Sequence, residues 1–498
     1  MNICNQLRSL LLAGLLLCSI PAQSEELSAV FLHWNDFHSY NTPHVNSEGD
    51  TVGGYAYLAG YLDSLKSVHS EPVFTLHAGD DFQGTPISTL TRGASQILLL
   101  NRIQPDAFAL GNHEFDYGRG RLDTLLQQAN FPILAANLTD LRTGKPFVPR
   151  TTTLRRGGIT VGIIGLTAPD LSELTLPDNV RDLRIIDAPK AVKSLAKELE
   201  STVDLTVVLS HMGFHQDSLL AESLGPSSPV DLIVGGHSHT PLRRARRING
   251  IYLTQAGQHG EFLGYIQADV DTERQRFSDF KSQLLPVIPQ HAAPNEEVAS
   301  LVDSLETVAR ETFNTVIGTL KTAWIRDRHD DSNIGHWLTD VMRDYADADI
   351  AFQNSGGIRK DLQAGPIRIR EIWEICPFGN HFVRFSITGA QLQRLVRHQI
   401  RSPQEFLQVS GLRYRYLPGA RRPEGISVNG KDIEKGRQYT IVTNNYVFSH
   451  FEEFFGLPVT SASGIRHLNV LDREVFIQAV RKQGTITTQT DDRVQVLE

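Results

Sequence analysis

Ala107-Phe108-Ala109-Leu110-Gly111-Asn112-His113-Glu114-Phe115-Asp116 sets four apolar residues against a glycine and then places four polar side chains within six positions. A short apolar run bounded by glycine reads as a buried strand, which puts the polar cluster in the loop at its end. The same arrangement recurs along the first half of the chain. Predicted strand 29–33 precedes Asp36-Phe37-His38, strand 73–77 precedes Gly79-Asp80-Asp81, strand 205–209 precedes Ser210-His211, and strand 232–234 precedes Gly235-Gly236-His237-Ser238-His239. A further strand is predicted over 159–165. Amphipathic stretches over 54–68, 122–129 and 188–201 lie between, so residues 30–271 read as β-α units around buried strands, an α/β fold. Loops at one edge of a sheet can converge. A lone Asp-x-His or Ser-His pair is ordinarily a satisfied surface or core residue, but five clusters in this order predict one shared metal site.

The chain has 498 residues, with 48 Lys+Arg against 56 Asp+Glu, a formal charge of −8. That length suggests two or three compact units. The ordinary apolar content and the lack of charged heptads argue against disorder and a coiled coil. The acidic balance argues against a general grip on a nucleic acid polymer, so an anionic substrate must be held locally. Residues 1–24 read as an export signal: Arg8, an apolar run over 10–20, then Ala22-Gln23-Ser24 for cleavage. The protein is therefore expected to be exported, periplasmic or secreted. Leu17 before Cys18 favours export without a lipid anchor. No later run has the roughly 20 apolar residues of an integral membrane segment. With Cys4 and Cys18 in the signal, Cys376 is left as the mature thiol, so metal ligands must be His, Asp or Asn.

Carboxylate and imidazole suit borderline divalent cations such as zinc or manganese. A pair of metals needs one ligand touching both and separate ligands on either side. Asp80 is the expected bridge, because its flanking glycine permits close approach. Asp36, His38 and His239 would complete one metal, and Asn112, His211 and His237 the other. His33 and His77 fall on strands and read as core or supporting residues, and Asp81 as orienting the site.

These motifs resemble the five motifs of the calcineurin-like metallophosphoesterases, and the Gly-Asn-His-Glu-Phe-Asp form resembles the secreted 5′-nucleotidase family. The resemblance implies a four-layer α/β-β/α sandwich over 25–294, with a dinuclear centre that polarises a phosphate ester and lowers the pKa of an attacking water. It also implies a His113–Asp116 dyad in which His113 stabilises charge developing on the phosphate or the leaving oxygen. The alternative reading of Asp116 is a helix N-cap beside Gly118.

Pro289 to Glu296 is a turn-rich break, and the periodicity over 297–314 predicts a helix inside a linker spanning 295–315. A second, smaller mixed α/β domain is expected over 316–498, with helices over 333–346 and 389–400 and a strand over 439–443. Three segments there resemble the C-terminal nucleotide-binding domain of the family. The resemblance implies substrate contacts from Arg328, Asn354 and Arg359, and base stacking on Phe378. Tyr446 would form the second wall of a base clamp. The family's glycine loop is replaced by His450-Phe451-Glu452-Glu453, with Glu452 where the family has an aspartate. Phe451, Phe454 and Phe455 read equally well as core. The expected activity is hydrolysis of nucleoside 5′-monophosphates, a small-molecule nucleotide substrate. The alternatives are nucleotide-sugars, cyclic nucleotides or a sulfur ester, and, from another class, a non-catalytic nucleotide or metal carrier.

Overall fold

The structure is a computed structural model that describes residues 26–401, 405–417, 419 and 423–497. The predicted export signal and Cys18 lie outside them. Two six-stranded sheets form the first half. One runs in the order Arg276–Pro286, Phe262–Asp271, Glu26–Trp34, Val73–His77, Ala107–Ala109, Ile133–Leu134. The other runs Arg246–Ile248, Ile251–Thr254, Leu232–Val234, Leu205–Ser210, Ile159–Leu166, Thr151–Arg156.

Successive strand side chains point to opposite faces, and that alternation sorts the core into layers. Phe31, Phe74, Leu76 and Ala109 meet Val161, Val207, Leu209 and Val234 between the sheets. Val30, Leu32 and Phe108 point outward onto helices Tyr55–Val68 and Ala94–Ile103. Val208 and Ile233 likewise face helices Ala188–Leu199 and Phe214–Leu224. The result is the four-layer sandwich. Val30–Trp34 pairs in parallel with Val73–His77, which pairs in parallel with Ala107 and Phe108, so the polar clusters leave the first sheet at one edge. Leu205–Ser210 is parallel to both of its neighbours and does the same in the second sheet.

The β-α reading misses the long hairpin Phe262–Asp271 and Arg276–Pro286. Its first strand lies antiparallel to Glu26–Trp34, placing that strand inside the sheet. A pairing of segments so far apart in sequence leaves no local periodic signature.

Helix Glu296–Asn314 buries Val298 and Val302 in the first core and Phe313 in that of the second half. Beyond it, a five-stranded sheet orders Leu407–Ser410, Ile350–Asn354, Gln438–Asn444, His381–Thr388 and Ser463–Leu471. Helices Asn333–Ala346 and Asp472–Gln483 cover one face, Gly389–Arg401 and Phe451–Phe455 the other. Phe451, Phe454 and Phe455 are buried there, as core. Cys376 is buried and free. Among the described residues, no helix is long and apolar enough to cross a membrane.

The Asn295 side chain accepts from the Val298 amide at 3.0 Å and donates to Asp63 at 2.7 Å, capping the connecting helix. Asn295→Ala is expected to cost about 1 kcal/mol, read as a lower midpoint in chemical denaturation.

Candidate metal centre

The hydrogen-bond ladder between the first two parallel strands continues past their ends. The amides of Asp36 and His38 donate to the carbonyls of Gly79 and Asp80 at 2.9 and 3.0 Å. This lays the first two polar clusters side by side. The Glu114 carboxylate then ties in the third, accepting from the amides of Gly111, Asp80, Asp81 and Phe82 at 2.7 to 3.2 Å. Clusters four and five arrive from the second sheet. The His211 amide donates to Leu166 O at 2.8 Å, and the His237 amide to Asp36 Oδ2 at 2.8 Å.

Six of the seven predicted ligands are thereby drawn together. Ligand atoms of Asp36, His38 and His239 lie within 4.8 Å of one another, as do those of Asp80, His211 and His237. His38 Nε2 and His239 Nε2 are 3.1 Å apart. His211 Nε2 lies 3.0 Å from Asp80 Oδ2 and 3.8 Å from Asp36 Oδ1, linking the two groups. Asn112 is buried at the start of the short turn His113–Phe115.

Several donor atoms have no protein partner. Among the described residues, Asn112 Oδ1, His211 Nε2 and His38 Nδ1 are buried without a hydrogen bond, and His211 Nε2 lacks hydrogen-bond geometry to Asp80 despite their separation. Buried polar atoms are nearly always satisfied. Orphaned acceptors beside two buried carboxylates are the donor set a divalent cation takes, so these residues fit a metal centre. The charges agree. Burial would push the Asp80 carboxyl up, but the surrounding imidazoles, His211 first, hold it well below the usual range. Burial opposes protonation of His211, yet the Asp80 carboxylate beside it raises its pKa to about 10.

Space is as restricted as charge. A Cβ at Gly111 would sit 2.1 Å from Asp80 Oδ1, and one at Gly236 2.8 Å from the His211 ring. These glycines make room for ligand side chains rather than for a metal directly. Asp36, His38, Asp80, His237 and His239 all have left-handed backbone, with φ between 50° and 73°.

His113 Nδ1 lies 2.7 Å from Asp116 Oδ2, and the His113 amide donates to Asp80 Oδ1 at 2.9 Å. Burial disfavours the His113 cation, but Asp80 and then Asp116 raise its pKa to about 10. Gly118, not Asp116, caps helix Arg119–Gln128. Asp81 turns away from the cluster to Tyr55, His77 and Gln96. Two supports escaped the sequence reading: Glu114, whose signal was its place inside the third cluster, and Asn35, which donates to Asp36 Oδ2 at 2.6 Å.

In the second half, Asn354 is buried and donates to the Glu405 carboxylate at 3.2 Å. Glu405 also accepts from the Gly356 amide and lies in the field of Arg328 and Arg359. The Arg359 guanidinium stands 5.7 Å over the Phe378 ring. Phe378 is 60% exposed and Tyr446 46% exposed, so neither is core. Arg328 and Glu452 are exposed. No described hydrogen bond or ion pair joins Glu452 to the other five.

The family described as calcineurin-like phosphoesterase matches residues 29–241, and that described as 5′-nucleotidase, C-terminal domain, matches residues 316–457. The chain thus joins a calcineurin-like phosphoesterase domain to a 5′-nucleotidase C-terminal domain, the make-up of a metallophosphoesterase hydrolase. Relatives include Endonuclease YhcR of Bacillus subtilis (strain 168), 26% identical over 86% of this chain, of whose length the chain spans 37%. The 5′-nucleotidase of Vibrio vulnificus is 25% identical, over 91% of this chain and 90% of that protein. The crystal structure of the 5′-nucleotidase precursor from Thermus thermophilus superposes with a TM-score of 0.62 at 27% identity, covering 95% of this chain and 100% of that one.

Glu114→Gln would bring an amide N–H against backbone donors and loosen the loop that carries Asp80. Metal affinity, measured by competition with a chromophoric chelator, is expected to fall about 10–100-fold, as when supports of other metal ligands are removed.

Proposed function

We propose that this protein is an exported 5′-nucleotidase that releases phosphate from nucleoside 5′-monophosphates at a dinuclear centre. The observation that carries the reading is the gathering of Asp36, His38, Asp80, His211, His237 and His239 from four loops, with the orphaned buried Asn112 Oδ1, beside the His113–Asp116 pair. Asp36, His38 and His239 would hold one ion and Asn112, His211 and His237 the other, with Asp80 shared. Divalent ions held there, zinc or manganese by donor type, would supply Lewis acidity toward phosphate oxygens and would lower the pKa of a water. Asp116 fixes the His113 ring through Nδ1, leaving Nε2 to donate its proton to the leaving oxygen. A carrier without catalysis would have no use for that pair.

Arg328 and Arg359 offer planar donors to phosphate, and the open rings of Phe378 and Tyr446 offer stacking surfaces. The linker over 295–315 would serve as the hinge between a catalytic domain over 25–294 and a substrate domain over 316–498. One observation favours a second reading, in which a nucleotide-sugar or another phosphate ester is preferred. The His450 ring packs on Tyr446 at 4.6 Å, so an imidazole lies against one wall of the proposed clamp where the family has glycines.

Metal-dependent phosphate release from AMP tests the first reading. Release only from other esters transfers the case to the second, and binding of nucleotides without turnover of any ester overturns both. His113→Ala is expected to lower kcat about 10²–10⁴-fold with the metals retained. Asp116→Asn removes a negative charge that raises the His113 pKa, so the alkaline limb of the kcat profile should move to lower pH.

A further inference from the structure

We propose that His44, His259 and Glu261 form a third divalent-cation site, of the zinc class, beside the catalytic cluster. This goes beyond the proposed function, which uses none of the three. Ligand atoms of these residues lie within 4.8 Å of one another. His44 Nε2 and Glu261 Oε1 are 3.8 Å apart, too far for a hydrogen bond. Tetrahedral zinc, with bonds of about 2.0–2.2 Å, spaces its ligand atoms at roughly 3.4 Å, so a small side-chain adjustment closes the site.

The decisive feature is His44. Both of its ring nitrogens are shielded from solvent, and neither has a hydrogen-bond partner among the described residues. A neutral imidazole needs a partner for one donor and one acceptor. The orphaned nitrogens sit in a pocket shared with a second imidazole and a carboxylate. Two histidines and one glutamate are three ligands of a type found at zinc sites that keep a fourth position open.

The setting is built from distant parts of the chain. His44 begins a short hairpin, His44–Val45 with Thr51–Val52, while His259 and Glu261 lie in the loop before strand Phe262–Asp271. Gly53 sits between the two segments with φ 74°. A Cβ there would meet His259 O at 2.8 Å and the His44 ring at 3.1 Å, so glycine lets them close on each other. Tyr40 stacks on His259 at 3.8 Å and holds the ring upright. The His259 amide donates to Asp36 O at 2.7 Å, and its ring lies 5.7 Å from that of His38. An ion at this site would therefore brace the wall that carries two ligands of the catalytic cluster.

The test is ion counting. The full chain is stripped with chelator, titrated with zinc by calorimetry, and its bound metal measured by elemental analysis after desalting. Wild type is expected to hold three ions, and His44→Ala and Glu261→Gln two each, with near-UV circular dichroism unchanged in at least one variant. Variants that bind as many ions as wild type overturn the proposal. A wild type of two ions falling to one in both variants would keep this site and remove the dinuclear assignment, which separates the two claims. In Asp80→Asn the ion lost in His44→Ala should still bind, and its loss there would also overturn an independent third site.

Discussion

Two carboxylates, Asp36 and Asp80, are held out of water at the junction of two sheets, and everything around them answers that constraint. An isolated buried carboxylate is costly enough that it neutralises or finds a counter-charge. Here the counter-charge is distributed. Imidazoles from four loops surround the pair, backbone amides reach their oxygens, and an asparagine bonds Asp36 directly. The same field that draws protons onto His211 and His113 draws cations, and protons and metals compete for the same lone pairs. A site assembled this way is prepared to bind divalent metal before any substrate arrives.

Holding the arrangement requires backbone shapes that ordinary residues avoid. Five of the seven ligand-type residues are left-handed, a region in which Asp and His are tolerated better than branched side chains but still unfavoured. Such shapes persist where the surroundings over-determine them. The surroundings here are the continued ladder between strands, the Glu114 carboxylate on four amides, and the apolar layer between the sheets. The rigid scaffold lies directly behind the strained loops, so the positions of the reacting groups do not depend on loop flexibility.

The second half of the molecule works by the opposite principle. Its candidate contacts are more open: Phe378 and Tyr446 are exposed, while Arg328 and Arg359 share the field of Glu405. Glu405 occupies the place where an anion would be welcomed by the same two arginines and the Gly356 amide. The contact of Glu405 with Asn354 and the Gly356 amide is one that the residue types alone did not announce. The phenylalanines of 451–455 are core, with Phe454 edge-on to Tyr446 at 6.0 Å, and Glu452 between them is exposed.

Much of this was legible before any coordinates. Short apolar runs ending in Asp, His and Asn revealed the strands, the loops after them and the polar side chains those loops carry, because strand alternation and loop chemistry are local properties. The strand 73–77 and the helix 333–346 are read to the residue. The hairpin closing the first sheet, the clamp made by Glu114, the exposure of Phe378 and the pairing of His44 with Glu261 were not legible. Each depends on which distant segments touch, and contacts between segments far apart in the chain leave no period in a sequence. Residue types therefore specified what chemistry the chain carries, while packing decided which atoms share a pocket, since distance and burial exist only once the layers have closed.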